Sequence, residues 1–314
     1  AREKGCCSID SIMEAKHLAQ TLGIEHHILD ARQEFKDTVI KDFIDEYLQC
    51  RTPNPCVVCN KVIKWGLMME MADKLDCQFL STGHYARIAS HNGRLFLQRG
   101  VDNSKDQTYF LWDIPQNLLQ RTLFPLGNLT KTQVRQIAAE NGFVKLSQKK
   151  ESEEICFIPD NNYRNFLQKE VNNLSTLHNE GNFVDVDGNI LGTHCGLYNY
   201  TIGQRKGLGI ALGKPMYVVA LDKESNSVVL GDKTDLLSST MLVKNINMMK
   251  YDKIEDGLKV TCKVRYRNLG ALAALYNDGD KIRVEFETPV ESITPGQSAL
   301  FYENDDVVGG GIIC

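Results

Sequence analysis

A change of rhythm near residue 160 limits what this chain can fold into more than any other feature. Before it, helical spacing alternates with short apolar runs; after it, short alternating runs are cut by Gly, Asn and Asp. Residues 11–22 carry Ile12, Ala15, Leu18, Ala19 and Leu22 on one helical face and stop at Gly23. His26–Leu29 reads as a short strand, 34–48 and 60–75 as helices, and CQFLSTGHYARI as a strand entering a polar turn at Ser81–His84. Helix and strand in this alternation predict an α/β unit with a mostly parallel sheet, whose ligands sit beyond the carboxyl ends of the strands. Asn92–Gly93 before RLFLQR marks a hairpin. Thr130 caps an amphipathic helix over 130–141 with Val134, Ile137 and Ala138 on one face. A helix in NNYRNFLQKE then leads into Gly-punctuated segments, and from 217 onward short strands predict a small barrel or sandwich. The domains expected are therefore 1–159, 160–216 and 217–314.

No apolar run reaches the ~20 residues of a bilayer span, and the first ten residues have no secretory apolar stretch. A cytoplasmic protein with no membrane partner is expected. The net charge of −4 offers no global field for nucleic acid, but local patches suffice for a positive groove. Three candidates are Lys145 with Lys149 and Lys150, Arg205 with Lys206, and Arg265 with Arg267.

Ten cysteines in 314 residues are too few for a disulfide scaffold and suit a reducing compartment. Cys77 and Cys262 lie in apolar strand-like runs and read as small buried hydrophobes. Cys56 and Cys59 in PCVVCN differ: two thiols three apart at a helix start are placed for a lowered pKa. They could be redox-active, nucleophilic, metal-binding or simply buried. Cys156, between basic residues and an apolar run, could carry a persulfide if a second thiol lies near. With Cys56 and Cys59 it could also hold a [4Fe–4S] cluster, which spacing alone does not decide. Gly83 in STGH could admit a base or ribose against the backbone. TIGQRKGLG offers glycines and a basic pair for phosphate, without Walker spacing.

RTPNPCVVCNKVIKWG, STGHYAR, KDQTYFLW, EICFIP, YTIGQRKGLGI and TPGQSALFY stand in one order over nearly the whole chain. In this the chain resembles the bacterial tRNA-specific 2-thiouridylase family. The resemblance implies an N-terminal adenine-nucleotide alpha-hydrolase-like domain of the PP-loop ATP pyrophosphatase type, Rossmann-like and incomplete at its start, then a small central tRNA-binding domain and a C-terminal β-barrel. It implies ATP-dependent 2-thiolation of the wobble uridine, position 34, in tRNAs for Lys, Glu and Gln. ATP with Mg2+ and a persulfide sulfur-relay donor protein come with it. Carried over by motif, Cys59 is the nucleophile, Cys156 bears the persulfide, and a Cys59–Cys156 disulfide can form. Gly83 touches ATP; Asn54, Pro55 and Cys56 surround the flipped target base; His84, Lys105, Asp106, Gln107, Arg265, Tyr266 and Gln297 meet tRNA.

Two departures stand out. The family's Asn-Pro-Asp-x-x-Cys is here Asn-Pro-Cys-x-x-Cys, so Cys56 replaces an aspartate and an iron–sulfur-dependent variant becomes an alternative. The family's Ser-Gly-Gly-x-Asp-Ser pyrophosphate loop is not among these 314 residues, and Cys6-Cys7-Ser8 already matches a later region. The expectation is that this chain alone neither completes its first domain nor hydrolyses ATP. A catalytically incomplete tRNA-binding protein and a structural metal-binding protein are the rival readings.

Overall fold

The computed structural model describes residues 9–149, 155–172, 174 and 180–314. Helix α1 (Ile9–Leu22) ends at Gly23, which takes φ +68°. Helix α2 runs through Arg32–Phe35, Lys36–Ile40 and Lys41–Leu48. Helix α3 runs through Pro55–Cys59, Asn60–Leu67 and Met68–Lys74. Each has a middle stretch of wider i→i+5 winding. His26–Leu29, expected as a strand, pairs with no described segment. A strand exists only through a partner, and local apolarity cannot supply one.

β1 (Leu80–Ser81) runs parallel to β4 (Thr122–Leu123), leaving the Ser81–His84 turn at the carboxyl end of β1 as expected. Cys77 precedes β1 and is exposed rather than buried: the strand is only two residues long, and Cys77 N still donates to Ala72 O at the end of α3. Asn92 and Gly93, at φ +48° and +79°, join β2 (Ala86–His91) to β3 (Arg94–Arg99). Helix α4 (Lys131–Glu140) starts in a capping box between Thr130 and Gln133, yet Ile137 stays 45% exposed. Asn162 caps α5 (Tyr163–Glu170), accepting from Asn165 N.

The middle unit is a four-stranded sheet ordered β6 (Ile190–His194), β5 (Gly181–Asp185), β8 (Ser227–Gly231), β7 (Tyr217–Asp222). This corrects the boundary placed at 217. Residues 217–231 read as barrel strands in isolation, but they pair with β5 and close over Phe183, Val218, Val228 and Leu230. The C-terminal strands are β9 (Leu237–Met248), β10 (Leu258–Lys263), β11 (Ala271–Asp278), β12 (Lys281–Glu291), β13 (Ser298–Glu303) and β14 (Asp306–Ile313). They run β13-β10-β11-β12-β9-β14, and β14 returns to β13 to close a barrel.

The N-terminal half is bolted to this barrel. β3 meets β14 at Gln98 and Asp306, and Arg99 N donates to Asp305 O at 2.9 Å. The segment Thr108–Ile114 lies against the wall. Tyr109 Oη donates to Ser298 O at 2.9 Å, Trp112 Nε1 donates to Ser298 Oγ at 3.0 Å, and Asn247 Nδ2 donates to Trp112 O at 2.7 Å. One glycine of β14 has its reason here: a Cβ on Gly310 would lie 3.0 Å from the Trp112 ring, whereas Gly309 and Gly311 lie close against β9. Trp65, Leu97, Trp112, Leu300 and Tyr302 therefore share one core across the junction. Replacing Ser298 with Ala strands the fully buried Trp112 N–H without an acceptor. That should cost about 1–3 kcal/mol, read as a lower urea midpoint at unchanged m-value; an unchanged midpoint would contradict this joint.

Candidate functional site

Pro55 opens α3 where its missing N–H costs nothing, and its fixed φ suits a first turn. Cys56 sits on that turn with its side exposed, and Cys59 lies half-buried one turn on. The thiol of Cys56 does not follow the expected depression. Crowding by surrounding protein pushes its pKa up, the nearby Lys64 ammonium only partly opposing this.

Cys59 packs with Val58 and Val62 against α2, in one cluster with Ile155, Phe157 and Ile158. Phe157 is wedged edge-on between Phe35 at 5.7 Å and Phe43 at 5.2 Å, with Phe166 at 5.3 Å. Cys156, between two residues anchored in that cluster, is exposed. The fold thus brings the segments of both expected sulfur-handling cysteines to one cluster. No disulfide is present among the described residues. Glu154, Lys150, Cys6 and Cys7 lie outside the described residues.

His84 is nine-tenths buried against Trp65 and Phe124. Its Nε2 lies 3.2 Å from Lys64 Nζ and its Nδ1 2.8 Å from Thr82 Oγ1. An ammonium can only donate, so Nε2 accepts, and Nδ1 carries the proton toward Thr82. Burial first, then Lys64, pushes the imidazole pKa down to about 3. Gly83 beside it is exposed, and an added Cβ would meet only Leu126 at 3.7 Å. The protein's own packing does not require glycine there. Lys64 is not singled out by sequence, where a lysine in a helical run reads as solvated surface until its buried partner His84 is located.

The residues carried over as tRNA contacts divide into two groups. Asp106, 7% exposed, accepts from Thr108 Oγ1 at 2.8 Å and from the amides of Thr108 and Gly100. Burial raises its pKa against those bonds. Gln107 Oε1 accepts from Tyr85 N at 3.0 Å. Arg265 Nη2 donates to Ile202 O at 3.1 Å and Thr294 Oγ1 at 2.5 Å, joining barrel to middle unit. Gln297 Nε2 donates to Thr52 O and Pro53 O. These side chains, like His84, are engaged inside the protein. Lys105 is half-exposed, and Tyr266 is 36% exposed with its ring 4.5 Å from that of Phe110. Phe110 was not singled out by sequence; its carbonyl accepts from Asn60 Nδ2 at 2.7 Å, which ties this ring pair to α3 beside Cys59.

Arg205 and Lys206 are exposed and form no ion pair with a described residue. Their loop turns at Gly203, Gly207, Gly209 and Gly213, all at positive φ. Lys149, by contrast, pairs with Glu14 at 2.8 Å. Among the described residues no three His, Cys, Asp or Glu side chains are grouped to hold one metal ion, Cys56, Cys59 and Cys156 included. The arrangement offers thiol chemistry beside a neutral imidazole held by a lysine.

The buried imidazole has a consequence for acid stability. Unfolded, His84 takes up a proton near pH 6.5; folded, only near 3. Between these values the unfolded state binds more protons, so this group's stability is complete above 6.5 and is lost as pH falls toward 3. His84→Asn should flatten the pH dependence of unfolding free energy between pH 6 and 4 by up to about 1.4 kcal/mol per pH unit. Urea titrations at several pH values measure this, and an unchanged slope would place the imidazole in water.

Comparison with known proteins follows the structural division. The model described as tRNA methyl transferase HUP domain matches residues 1–160, the tRNA methyl transferase PRC-barrel domain 164–232, and the aminomethyltransferase beta-barrel domain 238–313. The second ends just after β8, as the sheet does. The tRNA-specific 2-thiouridylase MnmA of Amoebophilus asiaticus is 51% identical over 313 residues, covering 99% of this chain and 83% of that protein. That of Cytophaga hutchinsonii is 50% identical over 313 residues, 99% and 85% respectively. That of Natranaerobius thermophilus is 45% identical over 314 residues, 99% and 84%. With matches of this strength along nearly its whole length, this chain belongs to the bacterial tRNA-specific 2-thiouridylase family.

Proposed function

We propose that this chain carries the sulfur-transfer and tRNA-handling chemistry of ATP-dependent 2-thiolation of uridine 34 in tRNAs for Lys, Glu and Gln. The observation that supports it most is the shared cluster of Cys59 with Ile155 and Phe157, the neighbours of Cys156. In this reading the C2 oxygen of a flipped uridine attacks the α-phosphate of ATP and pyrophosphate leaves. The adenine nucleotide lies over Gly83, where an added side chain is refused by the ligand rather than by the protein. Mg2+ would enter with the triphosphate.

A donor protein loads a sulfane sulfur on Cys156. That sulfur reaches C2 by either of two routes. It attacks C2 directly, AMP leaves, and the Cys59 thiolate then attacks Cys156 Sγ to release the thiocarbonyl. Alternatively Cys59 attacks Cys156 Sγ first and frees hydrosulfide, which displaces AMP. Both routes reduce the sulfane sulfur by two electrons and leave a Cys59–Cys156 disulfide, which an external dithiol returns to thiols. Cys59 rather than Cys56 packs in the cluster that holds the neighbours of Cys156, which favours Cys59 as the thiol in the exchange; burial raises the pKa of Cys56 in the same sense. An iron–sulfur route through the three thiols has no support in their placement.

Arg205 and Lys206 on the middle unit and Tyr266 on the barrel follow, in sequence, the two residues joined by the Arg265–Ile202 bond. They supply phosphate contacts and a stacking face for RNA on a chain of net negative charge. The test is 2-thiouridine formation on a tRNA Glu transcript with ATP and a persulfide donor, without oxygen, by this chain and by a version that also carries the family's Ser-Gly-Gly-x-Asp-Ser loop, activity being expected of the second. Cys59→Ser and Cys156→Ser should each lower the rate by more than roughly a thousandfold. Near-normal thiolation by either variant of the loop-bearing version would overturn the assignment; tight tRNA binding with no thiolation even when the loop is present would favour a binding protein.

A further inference from the structure

We infer that the Thr294–Ser298 loop of the C-terminal barrel is the positioning device for the thiol-bearing helix α3, with Gln297 as its positioning residue. The approach to α3 cannot hold itself. Residues 51–54 form no helix or strand, and Pro53 and Pro55 have no amide hydrogens to give. Asn54, which precedes the helix, makes no side-chain cap. Residues 52 and 53 together own three backbone polar groups, and all three end on this loop. Thr52 N donates to Pro295 O at 2.8 Å. Both hydrogens of the Gln297 amide are used, one to Thr52 O at 3.1 Å and one to Pro53 O at 3.0 Å. Asn54 Nδ2 adds a long contact to Ser298 Oγ at 3.5 Å.

The loop is itself rigid. Gly296 N donates to Ile313 O at 3.0 Å, and Ile313 N donates to Gln297 O at 2.9 Å, so β14 holds it at two points. Gly296 takes φ +89°, and a Cβ there would lie 2.8 Å from both Thr52 O and Glu46 Oε2. Only glycine lets the loop approach this closely. Opposite it, Glu46 Oε2 also accepts from Arg51 Nε at 2.8 Å, which fixes the other side of the segment. Pro55, Cys56 and Cys59 follow directly, so their place is set by a domain that starts more than 170 residues later. The family resemblance reads Gln297 as a tRNA contact. With its amide nitrogen spent on Thr52 and Pro53, only its oxygen remains for RNA, and a pull on that oxygen is passed to the start of α3.

The proposal deepens the reading of Cys59 as the reactive thiol, but its test needs neither tRNA nor ATP. Iodoacetamide alkylation is followed peptide by peptide at Cys56, with the buried Cys262 as the monitor of global opening. Hydrogen exchange is followed at Val57 N, which donates to Asn54 O. Gln297→Ala removes two hydrogen bonds. Gln297→Glu keeps the shape but faces two carbonyls with a carboxylate. Both should change alkylation at Cys56 and speed exchange at Val57 by roughly tenfold, with Cys262 unchanged. Gly296→Ala should do the same from the other side of the contact. Wild-type behaviour of Gln297→Glu would reduce the contact to packing and overturn the proposal, as would a parallel rise at Cys262. A protein that shows the local response yet never thiolates tRNA, even when the Ser-Gly-Gly-x-Asp-Ser loop is supplied, would keep the clamp and lose the functional reading.

Discussion

The contact of Ser298 with Trp112 and Tyr109 is what the rest of the structure leans on. One serine, fully buried, accepts the indole hydrogen through its hydroxyl and the phenol hydrogen through its carbonyl. Around it the N-terminal half and the barrel share a single apolar core. The β2–β3 hairpin extends the same union, with Gln98 Nε2 donating to Asp306 Oδ1 at 2.6 Å and Arg94 reaching the carbonyls of Met248 and Met249. Lys250 sits between Glu303 and Asp306 at 2.7 Å from each, a partly buried ion cluster at the same seam. The barrel is therefore not an appendage on a flexible tether. Contacts this far apart in sequence fix the relation of the thiol helix to the surface that would grip RNA.

What the sequence made legible was local. Asn92–Gly93 announces its hairpin because few residues tolerate positive φ there. Thr130 and Gln133 announce α4 because the capping box lies within four residues. The errors concern partners. His26–Leu29 has a strand's composition without a strand's neighbour, and 217–231 has barrel-like alternation but pairs with the middle sheet. Cys77 has apolar neighbours in sequence, yet faces solvent at a helix end. The order of motifs identified the family where no single motif could, since each alone is compatible with several chemistries.

At the candidate site the same limit applies. The two cysteines proposed to handle sulfur are separated by almost a hundred residues, and spacing says nothing of whether they meet; Phe157 packs on Phe43 of α2 and Phe166 of α5, in the same cluster as Val58, Cys59 and Val62 of α3. Asp106, Gln107, Arg265 and Gln297 carry polar side chains that read as ligand contacts, but each is bonded within the protein. Arg265 ties the barrel to the middle unit and Gln297 ties it to the approach to α3, while Asp106 and Gln107 hold their own loop to Gly100, Thr108 and Tyr85. His84 and Lys64 form a pair that neither charge counting nor helical phase reveals, because burial sets the histidine's state.

The central claim is that Cys59 and Cys156 act as a pair while Cys56 stays out of the exchange. Its most direct measurement is disulfide mapping by mass spectrometry after one turnover. The persulfide-loaded protein, in a version that also carries the Ser-Gly-Gly-x-Asp-Ser loop, is mixed with tRNA and ATP without external thiol, and remaining thiols are then blocked by acid quench and alkylation. The account predicts a Cys59–Cys156 linkage appearing in step with 2-thiouridine, with Cys56 recovered alkylated. A Cys56–Cys59 linkage in its place, or 2-thiouridine with both cysteines still reduced, would contradict it.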